Sequence, residues 1–181
     1  MVASISLYSA LADGINTVTV STRKPPADAL NPEVKSLNYL NSVMAKREAH
    51  LRRADEALVL NLAGKVAEAS VANVFAWTEG VLVTPPSLDG ALPGITRASV
   101  LSAAAELNIP TQIRSLGQAE LMRADEVFLA GTGARIVPIG QYDKVAIGNS
   151  KRPIYERIEA AFTEMTRCSR PQSQSQSAAY A

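Results

Sequence analysis

Proline and glycine cut this chain into short apolar runs, and that punctuation limits its fold more than any other feature. Asn16-Thr17-Val18-Thr19-Val20-Ser21-Thr22 alternates and is β-branched, so it reads as a strand, and Arg23-Lys24-Pro25-Pro26 stops it. Ala57-Leu58-Val59-Leu60-Asn61 is a second strand, after which Gly64 turns the chain into residues 65–70. Residues 74–77 and 81–84 flank Thr78-Glu79-Gly80, a hairpin pattern that Pro85-Pro86 ends. Further short strands are expected at 112–116, 126–130, 136–139 and 145–147. Runs this short, interleaved with a few helices, indicate a mixed α/β fold. Its sheet should be barrel-like or layered rather than doubly wound.

Ser36 is placed to cap a helix in which Leu37, Leu40, Met44 and Leu51 recur on one face. Thr96 is the expected cap of a helix over 97–107. There Val100, Leu101 and Ala104 form the buried face, and Asn108 with Pro110 the stop. A short helix is expected at 119–123, and Pro153 opens a last one presenting Ile154, Ile158, Ala161, Phe162 and Met165. Beyond Arg170 the chain alternates Gln and Ser, a polar tail that cannot bury a core and is expected to be disordered. The resulting organisation is a short leader over 1–15, one body over 16–168 and a tail over 169–181.

Several function classes are disfavoured. With 18 basic and 17 acidic residues and no Lys/Arg-rich block, there is no electrostatic case for nucleic acid or an anionic membrane. Cys168 and His50 are the single residues of their types, too few for an internal disulfide or a zinc site, so no metal is expected. His50 falls within a helix and reads as a surface or partly packed side chain, which leaves a Ser-His-Asp hydrolase without a base. No apolar run has a membrane span's length, and Met1-Val2-Ala3-Ser4 lacks the form of a secretion signal. A cytoplasmic protein is the expectation.

The chemistry that remains is a lysine, a carboxylate and glycine-containing turns. Lys35 stands where an extended approach becomes a helix. Gly94-Ile95-Thr96 precedes a helix, where backbone amides and the positive helix end suit an anion such as phosphate. Gly131-Thr132-Gly133 follows a buried strand, so its amides are placed to line a crevice. Glu68 lies among small and β-branched residues, where a carboxylate is half buried. Each also has an ordinary and commoner reading: a surface lysine, a capped helix start, a plain turn, a solvated glutamate.

Taken in register, these features resemble a family. Lys35-Ser36-Leu37-Asn38-Tyr39-Leu40-Asn41, Ala54-Asp55-Glu56-Ala57-Leu58, Val66-Ala67-Glu68-Ala69-Ser70, Asn73-Val74-Phe75, Thr84-Pro85-Pro86, Leu92-Pro93-Gly94-Ile95-Thr96-Arg97 and Ala124-Asp125-Glu126-Val127-Phe128-Leu129-Ala130-Gly131-Thr132 occur in that order. This pattern resembles the class IV aminotransferases, pyridoxal-phosphate enzymes that include branched-chain and D-amino-acid aminotransferases and aminodeoxychorismate lyase. The resemblance implies the large pseudo-barrel domain of the D-amino-acid-aminotransferase-like fold, with the small N-terminal domain missing.

It also implies roles. Lys35 matches the lysine that forms the internal aldimine with pyridoxal 5'-phosphate and then moves the substrate's proton. Glu68 matches the carboxylate facing the pyridine nitrogen, and Tyr39 a tyrosine at the cofactor's phenolic oxygen. Gly94, Ile95 and Thr96 match the phosphate turn, with Gly131 and Thr132 beside it. The amides of Thr132 and Gly133 match a cradle for the substrate carboxylate. The implied reaction is transamination of a hydrophobic, branched-chain-type amino acid with 2-oxoglutarate, by a homodimer whose partners are amino-acid and 2-oxo-acid substrates. Aminodeoxychorismate lyase, D-amino-acid transamination and a truncated non-catalytic remnant are the alternatives. Arg135 departs from the pattern, because the branched-chain and D-amino-acid enzymes usually carry a glutamate there.

Overall fold

Alternate residues of the central strands pack on opposite sides, which is why those strands read as continuous apolar runs. The computed structural model describes residues 13–149 and 151–168. The first half of the chain forms β1 (Ile15–Arg23), α1 (Leu40–Leu51), β2 (Glu56–Leu60), β3 (Lys65–Ala69), β4 (Asn73–Thr78) and β5 (Val81–Thr84). The second half forms α2 (Ile95–Glu106), β6 (Thr111–Ile113), β7 (Leu116–Gly117), α3 (Gln118–Arg123), β8 (Glu126–Gly131), β9 (Arg135–Tyr142), β10 (Val145–Ala146) and α4 (Pro153–Cys168). Most of the leader and all of the polar tail lie outside the described residues.

The strands form one path, β6-β5-β4-β8-β9-β1-β2-β3-β7, with β10 added to β9. β1 runs parallel to both β2 and β9, β6 is parallel to β5, and the other neighbours are antiparallel. The two ends of this path are consecutive in sequence, since β6 ends at Ile113 and β7 begins at Leu116. A sheet whose first and last strands are so closely joined has to curl. The expected single strand over 112–116 is thus corrected: it divides between opposite ends of the sheet.

Inside the curl lie Leu58 and Leu60 of β2, Val74 and Ala76 of β4, and Val127 and Leu129 of β8. Phe75 and Phe128 point the other way, into a layer with Val100 and Ala104 of α2 and Ile158 and Phe162 of α4. The two phenylalanine rings stack at 5.2 Å, each burial contributing about 2–3 kcal/mol. On a third face Val18, Val20, Ala57 and Val59 meet Ala45 and Ala49 of α1. The architecture is a mixed α/β half-barrel with helices outside.

Local expectations hold at the 79–80 turn, at the end of α2 and along α4. Glu79 and Gly80 both take positive φ (52° and 77°), the two-residue turn that matches the twist of a hairpin. Asn108 at φ 53° stops α2. On α4, Ile158 and Phe162 are buried as the helical spacing requires. Its first amides are capped from a distance: Glu126 accepts hydrogen bonds from the N–H groups of Ile154 (3.0 Å) and Tyr155 (2.7 Å). His50 lies exposed on α1. Among the described residues no helix is long and apolar enough to cross a membrane, and no cluster suits a metal ion.

Two helix expectations are corrected. Ser36 does not cap α1, which begins at Leu40 with Tyr39 in the N-cap position and no side-chain cap. The Ser36 hydroxyl instead accepts a local bond from the Asn38 N–H (3.3 Å). The apolar stripe of α1 also faces outward: Leu37 is fully exposed and Leu40 is 71 % exposed. The helix lies close on β1 and β2, and only the small side chains of Ala45 and Ala49 fit between them. Thr96 likewise is not the cap of α2; Gly94 holds that position and Thr96 sits in the first turn, 8 % exposed.

Candidate active site

The turn between β3 and β4 gathers the candidate residues. It is closed by a bond from the Ala69 N–H to the Ala72 carbonyl (2.8 Å). Glu68, near the end of β3, is 9 % exposed and fully engaged. Its Oε1 pairs with the Lys24 ammonium at 2.5 Å, and its Oε2 accepts from the Leu92 N–H at 2.9 Å. Asn73 donates weakly to the same Oε2 (3.4 Å) and firmly to the Leu92 carbonyl (2.8 Å). One carboxylate therefore fixes the start of the 92–94 segment that leads into α2.

Close approach explains the glycines. A Cβ on Gly94 would stand 2.6 Å from Asn73 Oδ1, so a larger residue there would displace the side chain that holds the Leu92 carbonyl. A Cβ on Gly131 would stand 3.0 Å from the Val71 carbonyl and 3.1 Å from Ala72, which brings the end of β8 to the same turn. Arg97, buried on α2, ties the helix to the end of β5 through the Pro85 carbonyl (3.1 Å), and burial pushes its guanidinium below the usual arginine range. The outcome is an open pocket of about 610 Å³ lined by Ile95, Thr96, Gly131 and Thr132, with Arg135 and the α4 residues Phe162 and Thr163. No side chain caps α2, so its first amides are left for whatever enters.

The remaining expected residues lie apart. Lys35 is exposed in the irregular stretch before α1, and its ammonium makes no hydrogen bond or ion pair among the described residues. Gly133 is at the open tip of the β8–β9 connection, with nothing near its missing Cβ. Tyr39 is 44 % exposed, yet the burial it has raises its hydroxyl pKa, and the Glu56 and Glu68 carboxylates raise it further against Lys46. The phenol thus stays protonated while sensing both carboxylates.

Three contributors escape a reading of the sequence. Lys24, just before Pro25-Pro26, reads as a turn residue, yet its stem lies over Gly90, where a Cβ would stand 3.0 Å away, and its ammonium holds Glu68. Glu56 is fully buried, paired with Lys46 at 2.7 Å and bonded by the Ser70 hydroxyl and the Ala57 N–H. It anchors α1 and the 70–73 turn to β2. Arg135 lines the pocket although its exposed turn position suggests solvent. The adjacent acidic pair Asp55-Glu56 ahead of an apolar run was the one available signal.

Comparisons with known proteins bear on the family and the fold. The family model for class IV amino-transferases matches residues 2–142. A putative branched-chain-amino-acid aminotransferase of Methanocaldococcus jannaschii is 46 % identical over 139 residues, covering 77 % of this chain and 48 % of that protein. The structure of the branched-chain aminotransferase of Thermoproteus uzoniensis with norvaline superposes with a TM-score of 0.81 at 40 % identity, covering 84 % of this chain and 51 % of that one. A second solved branched-chain amino acid aminotransferase, complexed with N-(5'-phosphopyridoxyl)-L-glutamate, gives 0.83 at 35 % identity, covering 88 % and 54 %. The chain spans about half the length of the curated relatives it matches. With its half-barrel, its glycine approaches and its match over residues 2–142, the chain belongs to the class IV aminotransferase family.

Proposed function

We propose that this chain is the part of a pyridoxal-phosphate-dependent transaminase that holds the cofactor, acting on hydrophobic, branched-chain-type amino acids with 2-oxoglutarate as acceptor. The carrying observation is the convergence of Glu68, the uncapped start of α2 and Thr132 around one turn and one pocket. Likeness to a relative solved with norvaline and another with a phosphopyridoxyl-glutamate adduct supports the substrate pair.

The donor set fits such a cofactor. The amides of Ile95 and Thr96 and the Thr96 hydroxyl, which makes no hydrogen bond among the described residues, would take the phosphate, with Thr132 beside them. Glu68, buried and oriented by Leu92 and Lys24, would hold a proton on the ring nitrogen. Tyr39, kept protonated, would donate to the phenolic oxygen. The bound cofactor supplies an electron-withdrawing ring that makes the substrate's α proton removable. Lys35 would hold the cofactor's aldehyde carbon and, once released, shuttle that proton. Residues 31–39 are held by local bonds such as Val34 N–H to Asn31 and Asn38 N–H to Ser36, so the segment has the freedom to carry Lys35 inward. Substrate carboxylate would meet the amides of Thr132 and Gly133. The outward apolar residues Leu37, Leu40, Val43 and Met44 support a homodimer that covers them.

The exposed position of Lys35 favours a second reading, a folded domain that holds the cofactor's phosphate end but performs no transamination by itself. Adding pyridoxal phosphate should produce a visible absorbance band that Lys35→Ala abolishes, and L-leucine should bleach it. No band with the wild-type chain defeats the transaminase reading. A band unresponsive to amino acids selects the second, and a response to D-alanine alone moves the substrate class.

A further inference from the structure

Two buried carboxylates, Glu68 and Asp89, have Lys24 beside them both and an ion pair at only one. Glu68 takes the Lys24 ammonium on Oε1 (2.5 Å), while the Leu92 N–H and the Asn73 amide donate to Oε2 (2.9 and 3.4 Å). Asp89 closes a 3-10 turn over Ser87–Asp89 and is 8 % exposed. Its Oδ1 accepts from the Asn61 side-chain amide at 3.1 Å, but its buried Oδ2 has no hydrogen-bond partner among the described residues. Asn61 is itself fixed, because its oxygen accepts the N–H groups of Ala63 (3.0 Å) and Lys65 (2.9 Å). A buried carboxylate oxygen without a donor is costly.

Lys24 is placed to serve either carboxylate. Its N–H donates to the Leu60 carbonyl (2.9 Å), which sets its backbone beside Asn61, the residue that holds Asp89. Its stem then runs along Gly90, the residue after Asp89: a Cβ there would stand 3.0, 3.3 and 3.6 Å from Lys24 Cβ, Cγ and Cε. A four-carbon stem re-aims its ammonium by bond rotation while the backbone stays fixed. Charge sets the direction of exchange. On the function proposed above, a protonated ring nitrogen would claim Glu68 Oε1, the oxygen that Lys24 holds. Two cations on one oxygen repel each other, whereas Asp89 offers a buried oxygen that nothing serves. Two carboxylates with two cations then form a balanced set.

We propose that Lys24 and Asp89 are positioning residues that act as a movable counter-ion and its second seat: Lys24 passes from Glu68 to Asp89 Oδ2 when another cation takes Glu68 Oε1. The identity of that cation rests on the function proposed above; the exchange between the carboxylates rests on this chain alone.

The first arm of the test needs no cofactor. Urea unfolding is measured for wild type, Glu68→Gln, Asp89→Asn and the double variant. In the wild-type background Asp89→Asn keeps an oxygen for Asn61 and should change the unfolding constant by less than about threefold. In the Glu68→Gln background Lys24 has moved to Asp89 and offsets part of the loss, so Asp89→Asn should raise the unfolding constant by about tenfold. Equal effects in the two backgrounds overturn the proposal. If Glu68→Gln fails to fold, Glu68→Asp, whose shorter carboxylate withdraws from Lys24, should show the same coupling at smaller size, and its absence counts against the proposal. The second arm reads pyridoxal phosphate affinity by equilibrium dialysis. Asp89→Asn should weaken it by about tenfold in the wild-type background and leave it unchanged in Lys24→Met, which has no ammonium to move. Weakening of equal size in both, or in neither, overturns the proposal. A wild-type chain that takes up no pyridoxal phosphate defeats the proposed function, while the first arm still decides the exchange.

Discussion

The two sides of the candidate site are built differently. On one, Glu68, Asn73, Leu92, Gly94 and Gly131 are locked by hydrogen bonds and close backbone approach, inside a half-barrel buried on both faces. On the other, Lys35 and the approach to α1 lie exposed, held by local bonds, beside a helix whose buried apolar contacts come from alanines. The first side is fixed by the fold; the second is left free of it. Changes on the two sides should therefore separate chemistry from stability.

The sharpest break is Lys35→Ala. On the proposed function it should lower transamination by about a thousandfold or more, yet leave the urea midpoint within about 0.5 kcal/mol of wild type, because the side chain is exposed. A large stability loss would place Lys35 on the locked side after all. Glu68→Gln should do both kinds of damage. It leaves Lys24 without its charge partner and should destabilise by about 2–3 kcal/mol while cutting turnover, so a purely kinetic effect would mean the carboxylate is not structural.

Within α1 the contrast can be tested residue by residue. Ala49→Leu forces a larger side chain between the helix and β1–β2 and should cost about 1–3 kcal/mol, whereas Leu40→Ser on the outward face should stay within about 0.5 kcal/mol in the monomer. Comparable losses would show that the stripe is covered in solution, and a concentration-dependent loss in Leu40→Ser would identify the cover as a second copy.

The smallest effect concerns a surface pair remote from both sides. The hydrogen bond from Arg114 (2.5 Å) holds the Glu120 carboxyl below its ordinary value. A depressed folded pKa contributes stability that is present above the unfolded value of about 4.3 and is lost as pH falls through the folded one. The pair is about a third exposed, so solvent screening limits it to a few tenths of a kcal/mol. Glu120→Gln should show that deficit at pH 7 in urea titrations and converge with wild type once the pH has fallen below the depressed folded value.

What the sequence made legible follows from range. β4, β8 and β2 were readable because burial on both faces writes itself as uninterrupted apolar residues, and the 79–80 turn because its conformation demands glycine. The stripe of α4 was readable because its partners are large enough to need large side chains. α1 misled for the opposite reason: close packing selected alanine, which carries little hydrophobic signal, and left its leucines on the outside. The turn before α2 and Thr132, which the fold brings to one pocket, were legible by order and spacing. Lys24, Glu56 and Arg135 were not, because their meaning comes from partners such as Glu68, 44 positions away from Lys24.

The carboxylate of Glu126 has a bearing on the order in which this molecule assembles. It opens β8, a strand lodged between β4 and β9, and it receives the first amides of α4. Until β8 is paired on both sides, that helix has no fixed terminus to dock, and the wall that carries Thr163 and Arg167 has no position. The cavity is in this sense a late product of folding, finished only when strands drawn from most of the chain are in register. A ligand that fills it binds the completed chain and draws the population toward it, so ligand capture and maturation become one equilibrium.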